Sequence, residues 1–288
     1  MLAIDLGVFN RKSHEVHYKE ALLWSGIWIS LAILFNIGVF RFAGHEKGME
    51  FLTGYLLEKS LSVDNIFVFV LLFSYFNVPN KYQHKVLYYG IVGALIMRGI
   101  LIALGAALIV KFHWVILLFG AFLVFSGIKM AIHKEEKIEP DKNPLVRFFK
   151  KIFPVSESYE KDKFFIKRKT GLLATPLFIV LIVVETTDLV FAFDSIPAIL
   201  AITQDTFIVF TSNAFAILGL RSLYFALAGF MDKFKYLRTG LSIILVFIGI
   251  KMLIADFVHI SVTYSLAFIV IALTVSILAS VFVKRRKK

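Results

Sequence analysis

Five carboxylates lie inside long apolar runs of this 288-residue sequence: Glu58, Asp64, Glu185, Asp188 and Asp194. A charge in such a run costs about 2.5–3.5 kcal/mol on insertion scales, so it marks an ion pathway or a paired site. Three bases lie at comparable depth, Lys59, Arg98 and Arg221, while Lys129 and Lys251 are near segment ends and can reach the surface along their stems. Pairing with those three bases leaves two negative charges over, which one dication or two protons would balance. The neighbouring donors are oxygens: the Asn65 amide, the hydroxyls of Ser62, Thr187 and Ser195, and backbone carbonyls. The sequence has no cysteine, and His45, His84, His113, His133 and His259 lie at segment ends or in loops. An all-oxygen set suits Mg, Ca or Mn better than Zn, Cu or Ni.

Spacing constrains how these groups can meet. Glu58, Ser62 and Asn65 share a helical face (i, i+4, i+7), whereas Glu58 and Asp64 stand about 120° apart. A common ion then needs a distorted helix or a position between helices. Pro197 removes a backbone bond to Phe193, which predicts a helix break beside Asp194. Thr211-Ser212-Asn213 supplies further polar groups that can line a path or bond across helices.

The elements carrying these residues must be membrane spans. Hydrophobic residues make up 59% of the sequence and charged residues 18%, with a mean hydropathy of +0.81. That excludes both a disordered chain and a water-soluble fold. Eight segments are long and apolar enough: 21–43, 50–76, 86–110, 114–132, 172–202, 207–230, 236–256 and 261–283. The net charge of +12 follows from topology. Of the 32 Lys and Arg, 24 fall in or at the edges of the gaps on one side of the eight spans, three likewise on the other, and five deeper within the spans. This asymmetry predicts that both termini are cytoplasmic and removes the reason to expect nucleic-acid binding. The 133–171 loop reads as a mixed-charge cytoplasmic linker with an amphipathic piece at Val146–Phe153 lying on the membrane surface.

Three stretches recur in order. Phe125-Ser126-Gly127-Ile128-Lys129-Met130 matches Phe247-Ile248-Gly249-Ile250-Lys251-Met252, Met97-Arg98-Gly99 matches Leu220-Arg221-Ser222, and Glu58-x5-Asp64-Asn65 matches Asp188-x5-Asp194-Ser195. Each copy covers three spans, residues 50–132 and 172–256. Copies with an odd number of spans enter the membrane in opposite senses. The expected fold is therefore an all-α polytopic membrane protein of about eight helices with an inverted 3+3 repeat and a site near the midplane. It forms one transport domain over 1–288, with a cytoplasmic segment at 1–20 and a last span and basic tail at 257–288.

The same residues resemble the TerC family of integral membrane proteins, which includes bacterial manganese exporters. The resemblance rests on Asp5-Leu6-Gly7-Val8-Phe9, Lys19-Glu20-Ala21-Leu22-x-Trp24-Ser25 and Glu58-Lys59-Ser60-Leu61-Ser62-Val63-Asp64-Asn65. It continues through Val184-Glu185-Thr186-Thr187-Asp188, Phe193-Asp194-Ser195-Ile196-Pro197-Ala198 and Thr211-Ser212-Asn213-x-Phe215 to Arg221. It implies a bacterial inner-membrane protein of the LysE-like transporter superfamily that exports Mn2+, with Ca2+ or another hard dication as the alternative cargo. The implied metal-site residues are Glu58, Asp64, Asn65, Asp188, Asp194 and Ser195. Ser62, Glu185, Thr187, Asn213, Arg98 and Arg221 are in supporting positions. Relatives often carry another helix before the Asp5-Leu6-Gly7 stretch, and such a ninth span would move the N-terminus outside.

Moving a dication against an inside-negative potential costs about 4.6 kcal/mol per 100 mV, so export needs coupling, and exchange for protons is the simplest form. No prosthetic group is expected, nor an enzyme: there is no H-E-x-x-H motif and no evident nucleophile–base pair. Expected partners are the cation, protons and the bilayer, with homo-oligomers and secretion or metal-loading proteins as further candidates. The alternative is an accessory membrane protein, without flux of its own, that assists metal loading or assembly of exported proteins through the 133–171 loop.

Overall fold

The computed structural model describes residues 18–112, 114–132, 144–152, 154–156, 158–168, 171–228, 236–258 and 260–282. The Asp5-Leu6-Gly7 stretch, most of segment 1–20, the first part of the 133–171 loop and the basic tail from Lys284 lie outside them. A helix occupies each of the eight apolar segments. These are α1 (Tyr18–Phe42), α2 (His45–Tyr75), α3 (Asn80–Lys111), α4 (Val115–Ile132), α6 (Pro176–Leu200), the pair α7 (Thr206–Leu218) and α8 (Leu220–Leu227), α9 (Leu237–Leu253) and α10 (Val262–Phe282). The short helix α5 (Pro144–Ile152) lies in the long loop.

Six of these helical units are long and apolar enough to cross a membrane: α1, α3, α4, α6, the joined α7–α8 and α10. Their outer faces carry bare aliphatics such as Leu34, Ile96, Ile271 and Val281, each more than half exposed. Water would not tolerate that surface, but lipid would. Among the described residues the bundle is all-α except for one antiparallel hairpin, β1 (Phe165–Arg168) and β2 (Gly171–Ala174).

The structure corrects three local expectations. The fifth apolar segment starts not at 172 but at Pro176, because Gly171–Ala174 is spent on the hairpin. Proline suits the first helical turn, where its missing N–H would have no partner anyway. Pro197 does not interrupt α6, which runs on to Leu200. The interruption is instead at Gly219, between α7 and α8.

Packing is tightest between α4 and α9, whose backbones nearly touch at glycines. A methyl group placed on Gly127 would lie 2.9 Å from the Ser242 carbonyl and 3.0 Å from the Val246 nitrogen. One on Gly249 would lie 2.7 Å from the Gly120 carbonyl and 2.8 Å from the Val124 nitrogen. Around this seam α2 packs on α7, and α3 on α6.

One end of the bundle is tied by charge. The Lys47 ammonium reaches Glu50 at 2.9 Å and Asp205 at 3.3 Å, and the Thr203 hydroxyl donates to Glu50 at 2.6 Å. Asp205 also caps α7, accepting from the Phe207 and Ile208 amides. Burial, which pushes the Asp205 carboxyl up, is outweighed by the Ile208 amide and the Lys47 ammonium, which hold it below the usual carboxylate range. The stabilisation it provides is therefore present above about pH 4 and fades as pH falls through its lowered pKa. Asp205→Ala should lower stability at pH 7 by about 0.5–2 kcal/mol through loss of the cap. Thermal unfolding in detergent should show that gap narrowing at pH 3.

Candidate functional site

The centre of the bundle is ionic. Arg98, 1% exposed and midway along α3, lies between Glu58 of α2 and Asp188 of α6, themselves 0% and 4% exposed. Its Nε and Nη2 donate to both Asp188 oxygens, at 3.0 and 2.9 Å. Nη1 donates to Glu58 Oε1 and, at 3.3 Å, to the Ser195 hydroxyl. A guanidinium suits this role because its planar fork engages two carboxylates at once. Asp188 stands halfway between Pro176 and Leu200, and Glu58 is near the middle of α2, a helix about 46 Å long at 1.5 Å per residue.

The expected face of α2 is present. Glu58, Ser62 and Asn65 are all buried, and Glu58 Oε2, Ser62 Oγ and Asn65 Oδ1 have no hydrogen-bond partner. Asn213 of α7 is buried too, with its Nδ2 likewise unpartnered. Buried polar atoms without partners are costly, and Glu58, Ser62 and Asn65 present three of them on one helical face.

The remaining expected residues are more dispersed. Asp64 is half-buried and stands off the Glu58–Ser62–Asn65 face. Asp194 is half-buried and drawn to α4, where it meets the Ser126 hydroxyl and the field of Lys129. The Thr187 hydroxyl is spent on the Val183 carbonyl of its own helix. Glu185 packs on α3 at Gly93, where any side chain would collide with its carboxylate, and its Oε2 has no partner. Arg221, which the sequence pattern aligns with Arg98, is not part of the triad and lines a small cavity with Glu20, Trp24 and His84. Among the described residues, no three His, Asp or Glu side chains converge closely enough to hold a metal ion. In this conformation the triad's internal cation is Arg98.

Lys59 has a different task from the one its sequence position suggests. Its ammonium donates to the Ala216 carbonyl at 3.3 Å, close to Gly219, where the helix is interrupted. A cation at a helix C-terminus offsets the carbonyls left open there. Removing it in Lys59→Met should destabilise the α7–α8 junction by about 0.5–2 kcal/mol. Hydrogen exchange at Leu218–Leu223 should report this as faster exchange, while α4 and α9 stay protected.

Two cavities flank the triad from opposite ends of α2. One, of about 440 Å3, is lined by His45, Glu46, Glu50, Thr203, Lys251 and their neighbours. The other, of about 620 Å3, is lined by Phe73, Ser74, Asn77, Gln83, Tyr224 and their neighbours. A separate small pocket of about 10 Å3 touches Asp188 and is lined by Phe69, Ile217 and Leu220 among others. That is room for about one water. Glu58, Arg98 and Asp188 line neither of the two large cavities and are at most 4% exposed, so the triad is occluded.

A bundle of apolar helices around an occluded, ionised centre defines a multi-pass integral membrane protein. The family follows from comparison: the model of the integral membrane protein TerC family matches residues 43–288, and the chain belongs to that family. An uncharacterized membrane protein of Myxococcus xanthus is 50% identical over 99% of this chain and 89% of its own length. Alx of Escherichia coli K12, named as a candidate membrane-bound redox modulator, is 46% identical over 99% of this chain and 92% of its own. An uncharacterized membrane protein of Rickettsia bellii is 41% identical over 99% and 94%. No solved structure matches the chain significantly.

Proposed function

We propose that the chain is a secondary transporter that exports a divalent cation, with Mn2+ the best-supported cargo, in exchange for protons. The observation that carries this reading is the occluded Glu58–Arg98–Asp188 triad at helix midpoints, flanked by unpartnered oxygens and by a cavity at each end. Carboxylates, amides and hydroxyls suit a hard cation. Carboxylates also hold protons, so the two cargoes compete for one set of ligands. The ion site comprises Glu58, Asp188, Ser195 and Asn65, with Asp64 and Asp194 joining when the helices rearrange.

The architecture in this reading has eight spans, both termini in the cytoplasm and an inverted repeat of α2–α4 against α6–α9. The α4–α9 seam supports it. Gly127 against Ser242 and Val246 mirrors Gly249 against Gly120 and Val124, and each residue is 122 positions from its counterpart. The packing of α2 on α7 likewise mirrors that of α6 on α3. Rocking one repeat against the other would open the two cavities in turn.

The name of the E. coli relative raises a redox role. Direct thiol–disulfide chemistry is closed to these 288 residues, which include no cysteine. The accessory-protein reading has one point in its favour, because the described part of the long loop is docked on the bundle. Lys85 meets Asp162 at 3.3 Å, and the Tyr159 hydroxyl donates to the Phe76 carbonyl.

Mn2+ uptake into inside-out vesicles, with and without an imposed pH gradient, tests the proposal. Wild-type uptake should follow the gradient, and Asp64→Asn should abolish it while the protein still inserts. If neither Mn2+ nor Ca2+ enters above the level of empty vesicles, the accessory role on the 133–171 loop takes its place.

A further inference from the structure

We propose that Arg98 is a tethered rival of the cargo: it holds Glu58 and Asp188 when no ion is bound and passes to Glu185 when one is. The inference rests on the transport reading above and deepens it. Three observations lead to it.

First, the guanidinium sits where an ion bound between Glu58 and Asp188 would have to sit. It takes both oxygens of Asp188, one of Glu58 and the Ser195 hydroxyl. A dication placed between the same carboxylates would lie close to the guanidinium, and like charges that close repel strongly in a low dielectric. Cargo binding therefore requires Arg98 to release at least one carboxylate.

Second, a released guanidinium needs a new partner, since an unpaired buried charge is prohibitive. Glu185 is on the same helix as Asp188, three residues earlier and thus about one turn away. Its Oε2 is buried and has no hydrogen-bond partner, and it lies against Gly93 on the helix that carries Arg98. The glycine leaves the gap in α3 that accommodates this carboxylate.

Third, the arginine joins three helices of two different repeats, α2 and α3 with α6. Its transfer would loosen the α2–α6 tie when cargo arrives, so that loading is felt by the helices that must move.

A double-mutant cycle on the full chain in detergent tests this by Mn2+ binding, read by titration calorimetry and by Mn2+ electron paramagnetic resonance. Arg98→Gln removes the rival and should tighten binding by roughly 5- to 150-fold, the usual range of a coupling between two sites. Glu185→Gln removes the landing place and should weaken binding by a similar factor. In the Arg98→Gln background the Glu185→Gln effect should vanish, because nothing then needs to land. A purely structural Arg98 predicts otherwise: Arg98→Gln would bind no tighter, and Glu185→Gln would weaken binding equally in both backgrounds. Either result overturns the inference. Should Arg98→Gln fail to fold, Arg98→Lys takes its place, because a point charge cannot fork two carboxylates and should still tighten binding. Wild-type protein that binds neither Mn2+ nor Ca2+ overturns the transport reading together with this one. Wild-type binding with a flat cycle overturns this one alone.

Discussion

Asp188→Asn should reduce Mn2+ transport to the level of empty vesicles and should also weaken the fold. Both effects have one cause. Asp188 accepts two of the hydrogen bonds that neutralise Arg98, and Arg98 is 1% exposed. Removing one partner of a buried ion pair typically costs about 3–5 kcal/mol, chiefly because the other charge is left uncompensated. The asparagine keeps an acceptor in place, so the loss should fall toward the lower end. The two effects can be separated by removing all three charges. Glu58→Leu, Arg98→Met and Asp188→Leu together leave no charge stranded, and replacing a buried ionic group with packed apolar residues is often neutral or stabilising by about 1–4 kcal/mol. The triple variant should therefore recover most of the thermal stability lost by Asp188→Asn and still fail to transport. A triple variant that transports would show the triad to be structural. A triple variant less stable than Asp188→Asn would show that the ions contribute more to the fold than their pairing accounts for.

This separation matters because the sequence alone presents all the intramembrane charges as equivalent, and the structure sorts them. Periodicity placed Glu58, Ser62 and Asn65 on one face, and all three are buried together. That inference needs only the local geometry of one helix. The assignment of partners needs the arrangement of several helices, which no local pattern encodes. Lys59 and Arg98 look alike as bases in apolar runs, yet one closes an interrupted helix at Ala216 and the other joins two carboxylates. Arg221 matches Arg98 in the sequence pattern but lines a cavity with Glu20 and His84.

The helix interruption follows the same lesson. Proline is the strongest sequence signal for a break, but Pro197 is so near the end of α6 that only the last turn lies beyond it. Gly219 gives a weaker signal, because glycine is common in membrane helices and usually serves packing. There the interruption is stabilised by a lysine 160 positions earlier in the chain, which a reading of the local sequence cannot see. The hairpin at 165–174 is hidden in the sequence for a related reason: Gly171-Leu172-Leu173-Ala174 reads as the start of the following apolar run. The eight apolar segments themselves were legible, since length and hydropathy are local quantities, and a helix is found at each.

The α4–α9 seam yields the second large effect. Gly127→Ala and Gly249→Ala should each destabilise the protein by about 1–3 kcal/mol, the usual cost of forcing extra volume into a packed interface. The added methyl meets main-chain atoms, which cannot turn aside: the Ser242 carbonyl and Val246 nitrogen in one case, the Gly120 carbonyl and Val124 nitrogen in the other. The helices must part instead. Gly26→Ala is the control, because nothing lies within 4 Å of the added group; there a small gain in helix propensity is expected. If the two glycines are counterparts across the axis of an inverted repeat, the two single losses should be nearly equal. The double variant should then lose clearly less than their sum, since one separation of α4 from α9 relieves both clashes. Thermal unfolding of the wild type, the two single variants, the double variant and the Gly26→Ala control in the same detergent measures this directly. Strict additivity would mean that the two contacts yield independently, and a large inequality would mean that one side of the seam can adjust where the other cannot. Either outcome would count against the two-fold relation on which the proposed rocking of one repeat against the other depends.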